Sequence, residues 1–229
     1  MVSLEEIKQD VFTTCQILAR EGLVNAFGHV SARVPGGERI VISPRMGLLL
    51  ARYEDLVLIT GQGERIEGGR PPLETPLHTA IYAARPDVAG IARTHSPYAI
   101  AFGSAGKPIR PVHNFGSVFP DGVPVYPNSE LVRSPTIGAA VATALGKRGG
   151  LLLRGNGTVV VGRGVREAAV KAYLLEEAAA TLYRSLQIGR PLYYSLSEAK
   201  KRGGGEVLTD ESELLRVWNF LVGKHRLSG

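Results

Sequence analysis

Three ionisable side chains stand at spacings that would let them converge: Glu74 in Pro71-Pro-Leu-Glu-Thr-Pro-Leu-His78, with Arg93 and His95 in Ile91-Ala-Arg-Thr-His-Ser-Pro97. Glu74 comes just before a helix-compatible run, where the macrodipole favours a carboxylate and Pro76 suits the first turn, so a helix-terminal role is one reading. The other is a general base, because a carboxylate in a partly desolvated cleft has a raised pKa and takes a proton near neutrality. Arg93 and His95 are two apart in a β-rich run and leave the same face of a strand. His78, four residues after Glu74, shares its helix face and either pairs with it or belongs to the core.

Further candidates stand at loop and strand junctions. Phe27-Gly-His-Val-Ser-Ala-Arg33 and Ser43-Pro-Arg45 would place hydroxyls, an imidazole and a guanidinium there. The planar fork of Arg45 suits carboxylate recognition, although a solvated loop role explains it equally. Gly155-Asn-Gly157 interrupts an apolar run: it is either a bulge that presents Asn156 into a cleft or a tight turn, and local sequence favours the turn.

The elements that must position these groups read as one α/β domain over 1–229, with a core at about 5–190 and a C-terminal extension at 200–229. Apolar residues at three- and four-residue steps predict a helix over 4–21, with Ser3 and Glu6 forming a capping box. Short β-rich runs follow at 29–34, 39–42 and 56–60, then a helix at 75–84 ended by Arg85-Pro86. A strand is predicted at 88–94, a short helix after Pro97, and a Pro- and Gly-rich excursion at 106–128. Helices are predicted at 136–145, 167–186 and 210–222, and a buried, interrupted strand at 150–161. Arg202-Gly-Gly-Gly-Glu206 reads as a mobile loop or linker.

The 229 residues are 44% hydrophobic and 21% charged, as in an ordinary globular chain. A net charge of +6 comes without an aromatic-interleaved basic stripe, which argues for a solvated basic surface, or one serving anionic small substrates, and against nucleic acid. Cys15 is the single cysteine, so neither an internal disulfide nor a cysteine metal site is expected. The N-terminus lacks an export signal and no apolar run approaches the roughly 18 residues of a membrane span, so a cytoplasmic setting off the membrane is expected.

In order along the chain, Gly28-His-Val-Ser-Ala-Arg33, Ile42-Ser-Pro44, Glu74-Thr-Pro-Leu-His78, Ala84-Arg-Pro-Asp-Val88, Thr94-His-Ser-Pro-Tyr-Ala99 and Leu151–Gly162 resemble the class II aldolase/adducin family over roughly 5–190. The resemblance implies an α/β/α sandwich with a central, mainly antiparallel sheet, and a homotetramer whose sites lie between neighbouring subunits. It also implies a divalent metal, usually zinc, held by three histidines, with the acidic residue matching Glu74 handling the proton.

Here the chain departs from the family pattern. Arg93 and Asn156 stand at the first and third ligand positions, leaving His95 as the one match; arginine cannot coordinate a cation and asparagine is a poor zinc ligand. Pro72-Leu73 and Gly28-His29 replace groups that would hold a phosphate ester, and the motifs are closer to those of members that decarboxylate aromatic or heteroaromatic acids.

The leading expectation is a carbon–carbon lyase for an unphosphorylated carboxylate or keto acid, acting by decarboxylation or retro-aldol cleavage with Arg93 in place of the metal. In it Glu74 and His95 are acid/base partners, Asn156 is an oxyanion donor, and His29, Ser43, Arg45 and His113 bind substrate. One alternative moves a zinc, manganese or iron ion onto His95 and Glu74 with His29 or His113. Another is a non-catalytic assembly role, as in adducin-type relatives.

Overall fold

The computed structural model describes residues 2–201 and 211–227. Its centre is an eight-stranded sheet in the order β4-β3-β2-β1-β5-β8-β7-β6. The strands are β1 (His29–Arg33), β2 (Ile40–Ile42), β3 (Val57–Ile59), β4 (Arg65–Glu67), β5 (Gly90–Thr94), β6 (Val125–Tyr126), β7 (Gly150–Leu153) and β8 (Thr158–Gly162). Every pairing is antiparallel except β6 with β7.

Alternation along the strands divides the apolar residues between two cores. Val30, Ala32, Val41, Ala92, Leu152 and Val160 face α1 (Leu4–Arg20), α3 (Pro97–Ser104), α5 (Val165–Ile188) and α7 (Glu211–His225). Ile40, Ile42, Ile91, Val159 and Val161 face α2 (Thr75–Ala84) and α4 (Pro135–Leu145). The result is the α/β/α sandwich expected from the resemblance. No described helix is long and apolar enough to cross a membrane.

Local chemistry sets the element ends. Ser3 and Glu6 make the predicted capping box on α1. Helix α2 starts with Thr75-Pro76 and ends at Ala84, one residue ahead of Arg85-Pro86. At α3, Pro97 occupies the first turn and the buried Glu176 carboxylate of α5 accepts from the Tyr98 and Ala99 amides at 2.8 and 3.0 Å. That strap fixes the chain just after His95, on the end of β5.

The structure differs from expectation in several elements. The predicted strand over 150–161 is a hairpin of β7 and β8, with Gly155-Asn156-Gly157 as its turn. Strand β4 gave no periodic signal, because Arg65, Ile66 and Glu67 are all exposed on a sheet edge. The short helix α6 (Leu196–Lys201) and the 3-10 turn at Phe115–Val118 were also not anticipated. The loop expected at 202–206 and the first residue of the predicted terminal helix, Asp210, lie outside the described residues.

Two glycines in the β7–β8 turn carry different constraints. Both have left-handed φ, +68° at Gly155 and +84° at Gly157. A Cβ at Gly155 would meet nothing, whereas one at Gly157 would lie 2.0 Å from the Thr94 carbonyl. Gly155→Ala should therefore cost about 1 kcal/mol from φ alone. Gly157→Ala should cost about 1–3 kcal/mol more, because β8 must be pushed off β5. Urea midpoints of the two variants measure the difference; equal losses would show that the close approach to Thr94 contributes nothing.

Candidate active site

The register of the central strands brings the polar groups together. His29 on β1 sits directly opposite Arg93 on β5, and both project on the side of the sheet covered by α2. Glu74, the residue ahead of α2, comes down onto the same point. Glu74 is the N-cap residue of α2, as a helix-terminal carboxylate would be, but its side chain makes no helix-cap hydrogen bond. Instead Oε1 accepts from the Val132 amide at 3.0 Å, while Oε2 lies 3.3 Å from both His29 Nε2 and Arg93 Nη2.

Arg93 is fully buried. Its Nη1 donates to the Thr94 carbonyl at 2.9 Å and lies 3.3 and 3.1 Å from Nδ1 and Nε2 of His95. Toward Glu74 the contact is one of charge: Nη2 is close but poorly aligned for a hydrogen bond, and neither Nη2 nor Nε has a hydrogen-bond partner among the described residues. The guanidinium thus sits behind Glu74 and His95 and does not line the cavity.

The electrostatics of the cluster reverse one expectation. Burial pushes the Glu74 carboxyl upward, but the His29 hydrogen bond, the Arg93 charge and the Val132 amide together outweigh it and hold the group well below the usual carboxylate range. Glu74 is therefore a resident carboxylate, in contrast to the raised-pKa base expected from desolvation alone. Burial and the Arg93 charge bring His95 down to about 4, against weaker upward pulls from the Phe27 backbone and Asn156, so it is a neutral imidazole near pH 7. Burial lowers His29 and His78 as well.

A cavity of about 560 Å³ opens in front of this cluster, within the usual range for small-molecule sites. His29, Glu74, His95 and Asn156 line its floor, with Arg45 also on the lining. Buried Asn156 Nδ2 has no hydrogen-bond partner among the described residues. The apolar wall comes from Phe27, Met46, Leu73 and Leu131, and a second guanidinium, Arg133, joins the lining. A smaller cavity of about 220 Å³ at the opposite ends of β5 and β8, between Asp87, Lys147, Arg148 and Lys171, holds none of these residues.

Ser43 and His113 are not brought to the cavity. Ser43 is fully buried and its Oγ accepts from the Val30 amide at 3.1 Å, tying β1 to the chain beyond β2. His113 Nδ1 accepts from the Gly116 amide at 3.2 Å within the 3-10 turn. His78 does not pair with Glu74; its Nε2 meets His29 Nδ1 at 2.6 Å and its Nδ1 meets Ser31 Oγ at 2.6 Å. Arg133 and Leu131 escaped sequence reasoning because they lie in an irregular segment with no periodicity to place them.

Residues 9–183 match the family model of the class II aldolase and adducin N-terminal domain. The chain belongs to the class II aldolase/adducin family. Among its relatives is a 3,4-dihydroxyphthalate decarboxylase of Terrabacter sp. (strain DBF63), 33% identical over 187 residues that cover 75% of this chain and 78% of that one. A 5-methylthioribulose-1-phosphate/5-deoxyribulose-1-phosphate aldolase of Rhodospirillum rubrum is 29% identical over 195 residues, covering 77% of this chain and 85% of the relative. In fold the chain is similar to the L-fuculose 1-phosphate aldolase of Glaciozyma antarctica PI12, with a TM-score of 0.81 at 22% identity over 100% of this chain and 96% of that one.

The divalent metal that the family resemblance implies does not fit these donors. Two of the three expected positions hold Arg93 and Asn156, and a cation on His95 would face the Arg93 guanidinium at contact distance. Both nitrogens of His29 are already engaged, and no group of three histidine, cysteine or acidic side chains suited to a metal occurs among the described residues.

The Arg93–Glu74 pair makes a linkage prediction. A carboxylate with a depressed folded pKa adds stability above its unfolded value, near 4.3, and that contribution is lost as pH falls through the folded value. Arg93→Met keeps most of the side-chain length and removes the charge, which should raise the folded Glu74 pKa. The stability advantage of the wild type over this variant should then be larger at pH 7 than at pH 3. Urea midpoints at the two pH values measure it; a gap independent of pH would show that the pair is not linked to folding.

Proposed function

We propose that the protein is a carbon–carbon lyase that decarboxylates an unphosphorylated hydroxy-aromatic carboxylate, with the fixed charge of Arg93 replacing the family's metal. The observation that carries this reading is an ionised Glu74 beside the neutral His95 and Asn156 on the floor of a largely apolar cavity lined by two guanidiniums. The cavity is positive on balance and draws anions in. Its apolar walls suit a ring, and the similarity to dihydroxyphthalate decarboxylases supports that substrate class.

Arg45 and Arg133 bind substrate carboxylate at the mouth, where the guanidinium fork matches the anion. A hydroxyl adjacent to the departing carboxylate hydrogen-bonds to Glu74. Glu74, held well below the usual carboxylate range, takes the hydroxyl proton only in concert with transfer of a proton from water to the ring carbon bearing the carboxylate, giving a β-keto acid. The same depression makes it a ready acid for returning the proton. His95, with a pKa near 4, releases any proton it receives and so can relay the one from water.

The carbon–carbon bond then breaks, carbon dioxide leaves, and the electron pair moves through the ring onto the oxygen. A rotation of the Asn156 side chain, which lines the cavity, would bring its Nδ2 to donate to that enolate-like oxygen until Glu74 returns its proton. One proton is taken up for each carbon dioxide released. Arg93 does not touch the substrate; it holds Glu74 ionised and His95 neutral.

Chelator-treated protein incubated with 3,4-dihydroxyphthalate should release carbon dioxide at the same rate as untreated protein. Arg45→Ala and Arg133→Ala should each raise KM about tenfold or more, as expected for losing a charge-assisted contact. Loss of turnover on chelation, with recovery on adding a divalent ion, would overturn the metal-independent reading.

A further inference from the structure

Beyond the floor of the cavity, a row of polar side chains continues into the protein between β1 and α2. On the helix side Glu74, His78 and Tyr82 recur every four residues, an advance of about 6 Å. On the strand side His29 and Ser31 recur every two, an advance of nearly the same length. The two rows interdigitate as Glu74, His29, His78, Ser31 and Tyr82, with contacts of 3.3, 2.6, 2.6 and 2.8 Å. Apart from the half-buried Glu74, all of these residues are buried.

Each link has one donor, and the direction follows from the ends. An ionised carboxylate only accepts, so His29 Nε2 carries the hydrogen. A neutral imidazole has one N–H, so His29 Nδ1 accepts and His78 Nε2 donates to it. By the same rule His78 Nδ1 accepts from the Ser31 hydroxyl, and Ser31 Oγ in turn accepts from the Tyr82 hydroxyl. Starting from Tyr82, whose O–H needs an acceptor in the core, gives the same direction.

We propose that His78 is a positioning residue which, anchored by Ser31 and Tyr82, locks His29 in the Nε2–H tautomer and so keeps a fixed donor on the Glu74 carboxylate. Without the lock, the His29 proton could move to Nδ1. Nε2 would then face the carboxylate with a lone pair, and Glu74 would lose a donor that holds it ionised. A histidine that orients a neighbouring catalytic group acts as the outer partners of metal-bound histidines do, where removal typically costs about 10–100-fold in activity.

The inference rests on the reading of Glu74 as an acid/base group, but its decisive test needs no substrate. The chain has five histidines, so ¹⁵N-histidine labelling gives a small set of ring signals in which protonated and bare nitrogens are distinguished by shift. At pH 7 the wild type should show His29 and His78 each protonated on Nε2 alone. His78→Met should abolish the single-tautomer signature of His29, and His78→Gln, whose amide can still donate to His29 Nδ1, should restore it.

Ser31→Ala removes one oxygen and is the test that survives if His78→Met fails to fold; it should leave His78 and then His29 as tautomer mixtures. With the hydroxy-aromatic acid as substrate, kcat should fall about 10–100-fold in His78→Met with KM nearly unchanged, and recover in His78→Gln. His29 protonated on Nδ1 in the wild type, or a His29 signature unmoved by either Ser31→Ala or His78→Met, would overturn the inference. The predicted tautomers found in a protein that releases no carbon dioxide would uphold it and count against the proposed reaction alone.

Discussion

The ion pair between Glu74 and Arg93 is the constraint around which the rest of the site is arranged. A guanidinium removed from water in the middle of a sheet costs several kcal/mol unless an opposite charge and good acceptors meet it. Here the acceptors are the Thr94 carbonyl and the neutral His95 ring, and the opposite charge is a carboxylate delivered by the chain entering α2. The β1–β5 register then places His29 across from Arg93, where it reaches the same carboxylate oxygen. Sliding either strand by one residue would turn one of these groups to the opposite core.

Much of this was legible in the sequence. The spacing of Arg93 and His95, the Pro-marked start of α2 and the Gly-Asn-Gly turn each have a local cause that short-range reasoning captures. What was not legible depended on contacts distant along the chain. The helical step from Glu74 to His78 suggested a pair, yet β1 inserts His29 between them. Desolvation suggested a raised carboxyl pKa, but the His29 hydrogen bond, the opposing Arg93 charge and the amide of Val132, 58 residues away, pull it down. Arg133 stood in an irregular run, and Ser43, polar and between the end of β2 and Pro44, proved to be a buried strand tie.

A guanidinium also differs from a metal ion in what it demands of its surroundings. A divalent ion needs several lone pairs converging at about 2 Å, whereas arginine supplies donors in a plane and asks only for acceptors. Arg93 and Asn156 meet that second kind of demand and not the first, since arginine offers no lone pair and asparagine is a poor zinc ligand.

The segment that supplies the Val132 amide shows how such a site can change its preferences. Val132 is buried in the core beneath α2 and α4, while its neighbours Leu131 and Arg133 are exposed and line the cavity. The bond to Glu74 uses the backbone of Val132, which every residue but proline provides. Side chains at positions 131 and 133 can therefore change the cavity wall while the backbone bond that helps hold the carboxylate ionised stays as it is. The cavity wall and the setting of the Glu74 charge thus meet in three consecutive residues, and the two can vary separately.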